Sequence, residues 1–468
     1  MTLTLVTCDS TTSLIEAAPR KRLLLISYHF PPVGGAGVQR PLKFVKFLRR
    51  FGWETTVLTA ENPSVPVFDE SLLADIPAET TLLKARTWEP SYRLKGESAA
   101  IGESAPAGRR GWKSRAKQTA RNLLKKTAGI VLQPDPQILW SPNAYRTACE
   151  YLKHVPHDAI LATAPPYSNL LLGCRLKQRF DLPLVADFRD EWNLSSQYLE
   201  NSQRDVVSQF VQRRMQHRVL RSADLILATT QASTRRLRER AETVIRHVPV
   251  QCIYNGYDDD DFAHLRVGCV PSKKTSDRFR IVYSGTLWNL TSVEPVVRAF
   301  EELQRTAGHL TQHIEFVAIG RKTPEQLAML ERLRTTGCRL ILKDYCSHGE
   351  AISEMQSADA LCLLLSDLPG AERVAPAKLF EYLALEKPVF AVVPEGETSH
   401  IVRSVWPEHC FAPHEVHSIA EWLRERAARP NAVLTSIGTE EDRRLFRRDF
   451  QAKQLAAALD HVCAMRTE

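Results

Sequence analysis

The sequence lacks two features that would assign it at once to a special class: a long apolar run and closely paired cysteines. No apolar stretch approaches the roughly 18 residues that a transmembrane helix needs. The ten cysteines are scattered, with no Cys-x-x-Cys pair and no cysteine–histidine metal spacing, as in reduced cytoplasmic proteins. The N-terminus lacks the basic start of a signal peptide, and residues 1–20 are predicted to be a loose extension.

The sequence also lacks a strong excess of charge. Sixty-two basic and 54 acidic residues give a net charge of +8 over 468 residues, which is too diffuse to predict a nucleic-acid partner. The hydrophobic fraction of 44% and the charged fraction of 25% are those of a globular protein. A chain of this length should form two or three domains.

Short apolar runs alternate with amphipathic stretches of helical length along the whole chain. The runs lie at residues 22–27, 55–59, 159–162, 182–187, 225–228 and 253–255, and again at 280–284, 314–319, 339–342, 360–365 and 388–393. Strands that alternate with helices predict an α/β fold with parallel sheets covered on both faces. So many strands exceed one doubly wound sheet, so we expect a domain at 21–262, a linker near 262–278 and a second domain from 279. A ligand should then bind in the cleft between them.

A glycine-rich turn follows the first apolar run. Gly34, Gly35 and Gly37 stand before a helical pattern that starts near Val38 and should stop at Gly52. A strand, a glycine turn and a helix N-terminus form a unit that can receive an anion. The dinucleotide fingerprint is incomplete, because its third glycine would fall at Arg40, and no P-loop is present. A tight turn without a ligand remains the alternative.

Residues 104–133 break the alternation, with eight basic residues and no acid on an amphipathic pattern. Such a helix can lie on an anionic membrane surface. A solvated helical insertion in the first domain is the alternative.

Charged residues end another predicted strand. Asp187, Arg189 and Asp190 stand at a carboxyl end, where cleft residues belong, although an internal Arg–Asp ion pair would also explain them. Ser168 follows the preceding strand and could shape an acceptor pocket.

Five stretches together resemble the glycosyltransferases of family four, the retaining group with the GT-B fold. They are PPVGGAG at 31–37, ATAPPYS at 162–168, LPLVADFRDEW at 182–192, IYNGYDDDDF at 253–262 and PAKLFEYLALEKPVF at 376–390. The resemblance implies two Rossmann-like domains, a nucleotide-sugar donor, no cofactor, no active-site metal and retention of anomeric configuration. It also implies a second domain at 279–439 and a final helix, at 440–468, that crosses back to the first domain.

The resemblance assigns roles to individual residues. Glu381 corresponds to the glutamate that accepts hydrogen bonds from the ribose, although it could be a solvated helical charge. An earlier glutamate would contact the sugar, but Arg373 occupies that position, so either Glu372 or Arg373 takes this role. Asp344 lies where members of the family often bind the nucleotide base. Asp187 is expected to be one of the catalytic residues.

This sequence departs from the family at the donor diphosphate. Gly285 is present, but Thr286 stands where many members carry an arginine, and no lysine follows in that loop. Lys378 and Arg373 are the nearest candidates to bind the phosphates, with a solvated first-turn lysine as the alternative for Lys378.

The leading hypothesis is a cytoplasmic glycosyltransferase, either free or peripheral at the inner membrane face, for cell-surface polysaccharide or glycolipid synthesis, with a carbohydrate or lipid-linked acceptor. A sugar-nucleotide epimerase on the same fold and a non-catalytic nucleotide-sugar-binding protein are the alternatives. The sugar, the base and the acceptor cannot be read from single residues.

Overall fold

The computed structural model describes residues 20–90, 132–192, 205–244, 248–262, 277–432, 434 and 439–466. The predicted extension at 1–20, the basic stretch at 104–133 and the linker at 262–278 lie almost wholly outside these ranges. In the described part of the chain, no helix combines the length and apolar character needed to cross a bilayer.

The first sheet, as described, has seven strands in the order β3-β2-β1-β4-β5-β6-β7. The strands are β1 (Lys21–Ile26), β2 (Trp53–Ala60), β3 (Thr81–Ala85), β4 (Ala159–Ala164), β5 (Leu184–Phe188), β6 (Leu225–Ala228) and β7 (Val250–Cys252). All neighbouring pairs are parallel. The order reverses between β1 and β4, so the crevice that binds ligands in such sheets lies at their carboxyl ends.

The second sheet has six strands within the described ranges, in the order β10-β9-β8-β11-β12-β13. The strands are β8 (Phe279–Ser284), β9 (Ile314–Ile319), β10 (Arg339–Lys343), β11 (Ala360–Leu364), β12 (Val389–Val392) and β13 (Cys410–Phe411). They too are parallel, and the order reverses between β8 and β11. Their nearly continuous burial is why they read as unbroken apolar runs in the sequence.

Helices cover both faces of each sheet. They are α1 (Ala36–Leu48), α2 (Ser141–Leu152), α3 (Ser168–Phe180), α4 (Val206–Ser222), α5 (Gln231–Glu242), α6 (Glu294–Thr311), α7 (Pro324–Thr335), α8 (His348–Gln356), α9 (Ala377–Ala384), α10 (Glu397–Val405), α11 (Val416–Ala428), α12 (Glu440–Arg444) and α13 (Arg448–Ala464). Helix α1 continues as a 3₁₀ turn and stops at Gly52, whose φ of 84° is left-handed, as the sequence predicted.

Helix α13 packs on the first domain, although it follows the second in the chain. Its side chains Leu455, Leu459 and Val462 are buried in the same core as Leu42 and Val45 of α1. Their spacing of three and four residues places them on one face of the helix. The last helix therefore completes the core of the first domain.

The chain passes between the domains twice, and the two passages lie side by side. The backbone N–H of Tyr257 donates to the carbonyl of Phe446 at 2.9 Å, and that of Arg448 donates to Tyr257 at 2.8 Å. A Cβ atom on Gly256 would lie 1.9 Å from the Phe446 carbonyl oxygen, so only glycine fits there.

Two strand predictions need correction. The strand expected at residues 253–255 is β7, three residues earlier, and residues 253–255 belong to the passage between domains. Strand β3 was not predicted, because it is an edge strand with mostly half-buried side chains and therefore lacks a strong apolar pattern.

Candidate active site

The carboxyl ends of the two sheets face each other across a cleft that polar contacts bridge. The hydroxyl of Thr230, which follows β6, donates to the carbonyl of Arg373 at 2.8 Å. The carboxylate of Glu397 accepts from the backbone N–H groups of Gln231 and Ala232, at 3.1 Å each, at the start of α5. A cavity of about 260 Å³ lies between the walls. Its lining includes Asp190, Glu191, Trp288, Leu290, Leu368 and Arg373.

Gly285 and Lys378 lie in contact at the carboxyl end of β8. A Cβ atom on Gly285 would lie 2.2 Å from Lys378 Nζ, and the φ of Gly285 is +133°. Lys378 Nζ also donates to the hydroxyl of Tyr283 at 2.8 Å. The backbone angle thus requires glycine, and the absence of a side chain there leaves room for the ammonium group of Lys378. The structure brings together two residues that the sequence analysis proposed for one phosphate site.

A second lysine lies beside this glycine. The carbonyl oxygen of Gly285 would lie 2.6 Å from a Cβ atom on Gly320, whose φ is +109°. Lys322 Nζ donates to the carbonyls of Gly320 and Lys343, at 2.6 Å each. Burial lowers the pKa of the Lys322 ammonium, and the exposed Asp344 opposes that shift. The predicted base-site residue Asp344 is therefore near Lys322, which the sequence analysis missed.

Glu381 lies one turn after Lys378 on α9, half-buried at the junction of the domains. It lines a small cavity together with Tyr257, Asp258 and Arg448. Burial among these groups lowers the pKa of the Arg448 guanidinium to about 9, and the neighbouring Arg40 contributes. The side chain of Glu381 thus lies at the passage between domains, and its contact with a ribose stays a prediction.

Glu372 and Arg373 form a 3₁₀ turn with Ala371 between β11 and α9. The Glu372 carboxylate accepts from the backbone N–H of Gly370 at 2.8 Å and pairs with the Arg373 guanidinium. Arg373 Nε also lies 2.7 Å from the carboxylate of Glu191, across the cleft. The guanidinium of Arg373 is therefore held by two carboxylates.

The three glycines of the loop after β1 serve different purposes. Gly34 is packed against its own domain, since a Cβ atom there would lie 2.9 Å from Val67 Cγ1. Gly35 has a φ of +97° and open space where a Cβ atom would project. Gly37 lies against Arg189, since a Cβ atom on Gly37 would lie 3.6 Å from the Arg189 guanidinium. Helix α1 begins here with no side-chain cap and no acid in its first turn, so Gly35 marks the open approach to its N-terminus.

Asp187 does not reach the cleft, which corrects its assignment to the catalytic group. Its carboxylate is fully buried and bound twice by Arg40, at 2.9 and 3.1 Å, and by the Thr163 hydroxyl at 2.9 Å. The other Arg40 nitrogen donates to the carbonyls of Ile253 and Tyr254, at 2.9 and 2.8 Å. The internal ion pair considered as an alternative is present, with Arg40 in place of Arg189, and it fixes the passage between domains.

Arg189 and Asp190 follow Asp187 but behave differently from it. Arg189 is buried and donates to the carbonyls of Pro165 and Gly37, which ties the glycine loop to the end of β4. Burial lowers the pKa of its guanidinium. Asp190 remains accessible to solvent within the cleft, where the surrounding protein raises the pKa of its carboxyl by displacing water. Asp190 is therefore the carboxylate of this group that a substrate can reach.

Ser168, which was predicted to shape an acceptor pocket, lies behind the wall of the cleft. It is completely buried at the start of α3, and its backbone N–H donates to Asp135 at 3.1 Å. The same carboxylate accepts from the N–H of Tyr167 at 2.6 Å. Burial raises the pKa of Asp135 to about 6 despite these bonds. Ser168 supports the wall of the cleft and cannot contact an acceptor directly.

One group of carboxylates in the described residues is close enough to share a metal ion. Asp75, Asp258 and Asp261 converge, but Lys43 Nζ lies 2.6, 2.7 and 2.6 Å from them. Lys46 adds a second ammonium, 2.7 Å from Asp258. Two ammonium groups thus bind the three carboxylates and offset most of their charge, which accounts for the acidic run that the sequence shows at 258–261.

Sequence reasoning missed Arg40, Glu191 and Lys322. Arg40 carried a signal, since it occupies the position where the dinucleotide fingerprint would require glycine. Glu191 directly follows Asp190 at the end of β5, and Lys322 follows a glycine at the end of β9, so both stand where cleft residues belong.

Residues 34–256 match the family model of a glycosyl transferase 4-like domain. No curated protein sequence matches the chain. Among solved structures, sucrose-phosphate synthase from Thermosynechococcus elongatus shares 15% identity at a TM-score of 0.59, covering 95% of this chain and 100% of its own.

Two further solved structures cover 96% of this chain and 98% of their own. Anabaena HepE in complex with UDP and glucose shares 14% identity at a TM-score of 0.51. A trehalose-6-phosphate structure from E. coli bound with UDP-2-fluoro glucose shares 11% identity at a TM-score of 0.55. At these identities the likeness establishes the fold, and the chain has the GT-B architecture of two facing Rossmann-like domains.

Proposed function

We propose that the protein transfers a sugar from a nucleotide diphosphate sugar to an acceptor hydroxyl. The GT-B fold and the glycosyl transferase 4-like match support this class of reaction. The contact between Lys378 Nζ and the backbone of Gly285 is the observation that carries the proposal. It sets a cation at the carboxyl end of β8, beside the strand-order reversal where doubly wound sheets bind ligands.

Lys378 binds the donor diphosphate in this proposal. The leaving nucleotide diphosphate gains negative charge as the glycosidic bond breaks, and a fixed ammonium stabilises that charge in the transition state. The N-terminus of α9 adds a partial positive charge, which by itself disfavours a lysine in the first turn and so favours a bound anion beside Lys378. Glu381, one turn later, accepts hydrogen bonds from the ribose hydroxyls.

The acceptor binds on the side of the first domain. Asp190 accepts a hydrogen bond from the acceptor hydroxyl, because its carboxylate is accessible in the cleft. Arg189 acts through the loop that it holds at Gly37. Glu372 and Arg373 stand at the sugar end of the donor, between the two walls.

Retention of anomeric configuration and independence of metal ions are finer parts of the proposal. The carboxylate cluster at Asp258 supports the second part, since Lys43 and Lys46 already bind its oxygen atoms. The acceptor would be a carbohydrate or a lipid-linked sugar in cell-surface polysaccharide or glycolipid synthesis.

Measuring the release of free nucleoside diphosphate tests the proposal. The protein is incubated with a panel of nucleotide sugars, with and without candidate acceptors, after a thermal-shift screen has identified the donor that raises the melting temperature. We expect release that depends on the acceptor, and a product whose anomeric proton coupling matches that of the donor. Conversion of the donor to an epimer without release of nucleoside diphosphate would contradict transfer. Transfer would also be contradicted if a donor raised the melting temperature but was not turned over with any acceptor.

A further inference from the structure

Helix α4 presents an outward face that is apolar at its first turn and basic beyond it. Val206, Val207 and Phe210 are 82%, 60% and 63% exposed, which is unusual for three large apolar side chains within five residues. Four exposed arginines follow, namely Arg213, Arg214, Arg218 and Arg221. A groove of about 780 Å³ runs along this face, between Phe210 and Ser222.

The opposite face holds the helix firmly on the first domain. Ser208, Gln212, Gln216 and Val219 are buried at intervals of three and four residues. The side-chain amide of Gln212 donates to Gln133 at 2.6 Å. Phe210, Arg214 and Arg221 share the outward face by the same periodicity. The exposed face is therefore a fixed surface of a packed helix.

The arginines of this face have no carboxylate partner in the described part of the chain. No described carboxylate forms an ion pair with any of the four, and residues 206–222 contain no acid. The surface arginines of α7 differ, since Arg332 and Arg334 bind Glu301 and Glu331 at 2.8 and 2.6 Å. An unpaired row of cations beside exposed apolar groups calls for a partner that is both anionic and apolar.

The geometry points to an anionic bilayer surface as that partner, and we propose that α4 docks the protein on it. Val206, Val207 and Phe210 enter the boundary between headgroups and acyl chains, and the arginines bind lipid phosphates. A nucleic acid would satisfy the cations but leave the two valines without a contact. A surface that combines both chemistries side by side is that of a membrane with acidic lipids.

The topology also orients the cleft. Helix α4 precedes strand β6 of a parallel sheet, so its N-terminus lies at the edge where the strands end, the same edge as Asp190. The apolar turn therefore meets the bilayer close to the mouth of the cleft. This surface is separate from the donor site, and the inference does not depend on the proposed reaction.

Flotation with vesicles tests the inference on the full chain. Wild type should bind phosphatidylcholine vesicles that contain phosphatidylglycerol. It should bind far less to vesicles of phosphatidylcholine alone, and binding to the acidic vesicles should fall at high salt. Arg214→Gln/Arg221→Gln should lower the partition coefficient roughly thirtyfold, about fivefold for each cation lost. Val207→Ser/Phe210→Ser should lower it at high and low salt alike.

Matched variants serve as controls. Arg298→Gln/Arg305→Gln removes two exposed arginines of α6, and Leu327→Ser/Met465→Ser removes two exposed apolar side chains outside α4. Both should bind as wild type does, and all variants should keep the wild-type melting temperature. Equal loss in the α4 and control variants would overturn the proposal. The proposal would also be overturned if wild type did not bind the vesicles, or if binding were lost only in Lys113→Gln/Lys117→Gln/Arg121→Gln.

Discussion

Arg373 Nε lies 2.7 Å from the Glu191 carboxylate, so a cation of the second domain is bound to an anion of the first across the cleft. The Glu191 side chain is only 6% exposed and also accepts from the Ser233 hydroxyl at 2.8 Å. Each wall contributes one charge, and opening the cleft must separate them. The pair therefore favours the closed arrangement of the domains.

A double-mutant cycle measures this pair. Glu191→Gln and Arg373→Gln should each lower kcat/KM for the donor, and the double variant should lose less than the sum. We expect a coupling energy of about 0.5–3 kcal/mol, as for residues in direct contact. Arg332→Gln, which breaks a surface pair on α7, should leave the kinetics unchanged. Additive effects of the two substitutions would contradict the coupling.

Removing the ammonium of Lys378 should slow the chemical step. Lys378→Ala would lose a charge-assisted phosphate contact, which costs about 2–4 kcal/mol of transition-state stabilisation. We therefore expect kcat to fall roughly thirty- to a thousandfold. Glu381→Ala should mainly raise KM for the donor. Lys153→Ala, at the opposite edge of the first sheet, is the control. A Lys378→Ala enzyme within about twofold of wild type would move the phosphate site to Lys322 or Arg373.

Breaking the buried pair of Asp187 and Arg40 should destabilise the protein. Asp187→Ala leaves the Arg40 guanidinium buried without its carboxylate, and the free energy of unfolding should fall by about 3–5 kcal/mol. Arg40→Met/Asp187→Leu should recover much of this loss. Thermal unfolding measures both, with the exposed Asp277→Ala as control. If Asp187→Ala matched the control, the ion pair would have no structural importance.

Asp135 should give the stability a pH dependence of defined sign. Its pKa of about 6 when folded lies above the ordinary aspartate value of 3.8, so the folded protein binds this proton more tightly than the unfolded chain. The free energy of unfolding therefore falls as the pH rises from about 4 to about 6. Below that window the carboxyl is protonated in both states and does not change the stability. Relative to wild type, Asp135→Asn should gain melting temperature through this window. A difference independent of pH, as expected for Asp277→Asn, would refute the assignment.

Chelation of divalent ions should leave turnover intact. Lys43 and Lys46 already bind the convergent carboxylates of the described chain and offset most of their charge, so we expect that cluster to be stable without a metal. Turnover with excess chelator should equal turnover with added magnesium within error. Loss of activity on chelation that manganese or magnesium restores would show that the reaction requires a metal.

The fold was largely predictable because its strands are buried on both faces and read as apolar runs. The pairing of Gly285 with Lys378 was also accessible, since a glycine at a strand end and a lysine at a helix start both carry local signals. Asp187 was assigned wrongly because its partner Arg40 is 147 residues away in the chain. Glu191 and Arg373 are separated by 182 residues, and no local pattern predicts such a contact.

The position of α13 has a consequence for dividing this protein into pieces. A fragment that ends before the second domain would expose the core that Leu455, Leu459 and Val462 cover, at a cost of about 1.5–3 kcal/mol for each side chain. The first domain is thus discontinuous in the sequence, and its core is complete only after α13 has been synthesised. A stable isolated half would require α13 to be joined directly after the first passage, near Tyr257.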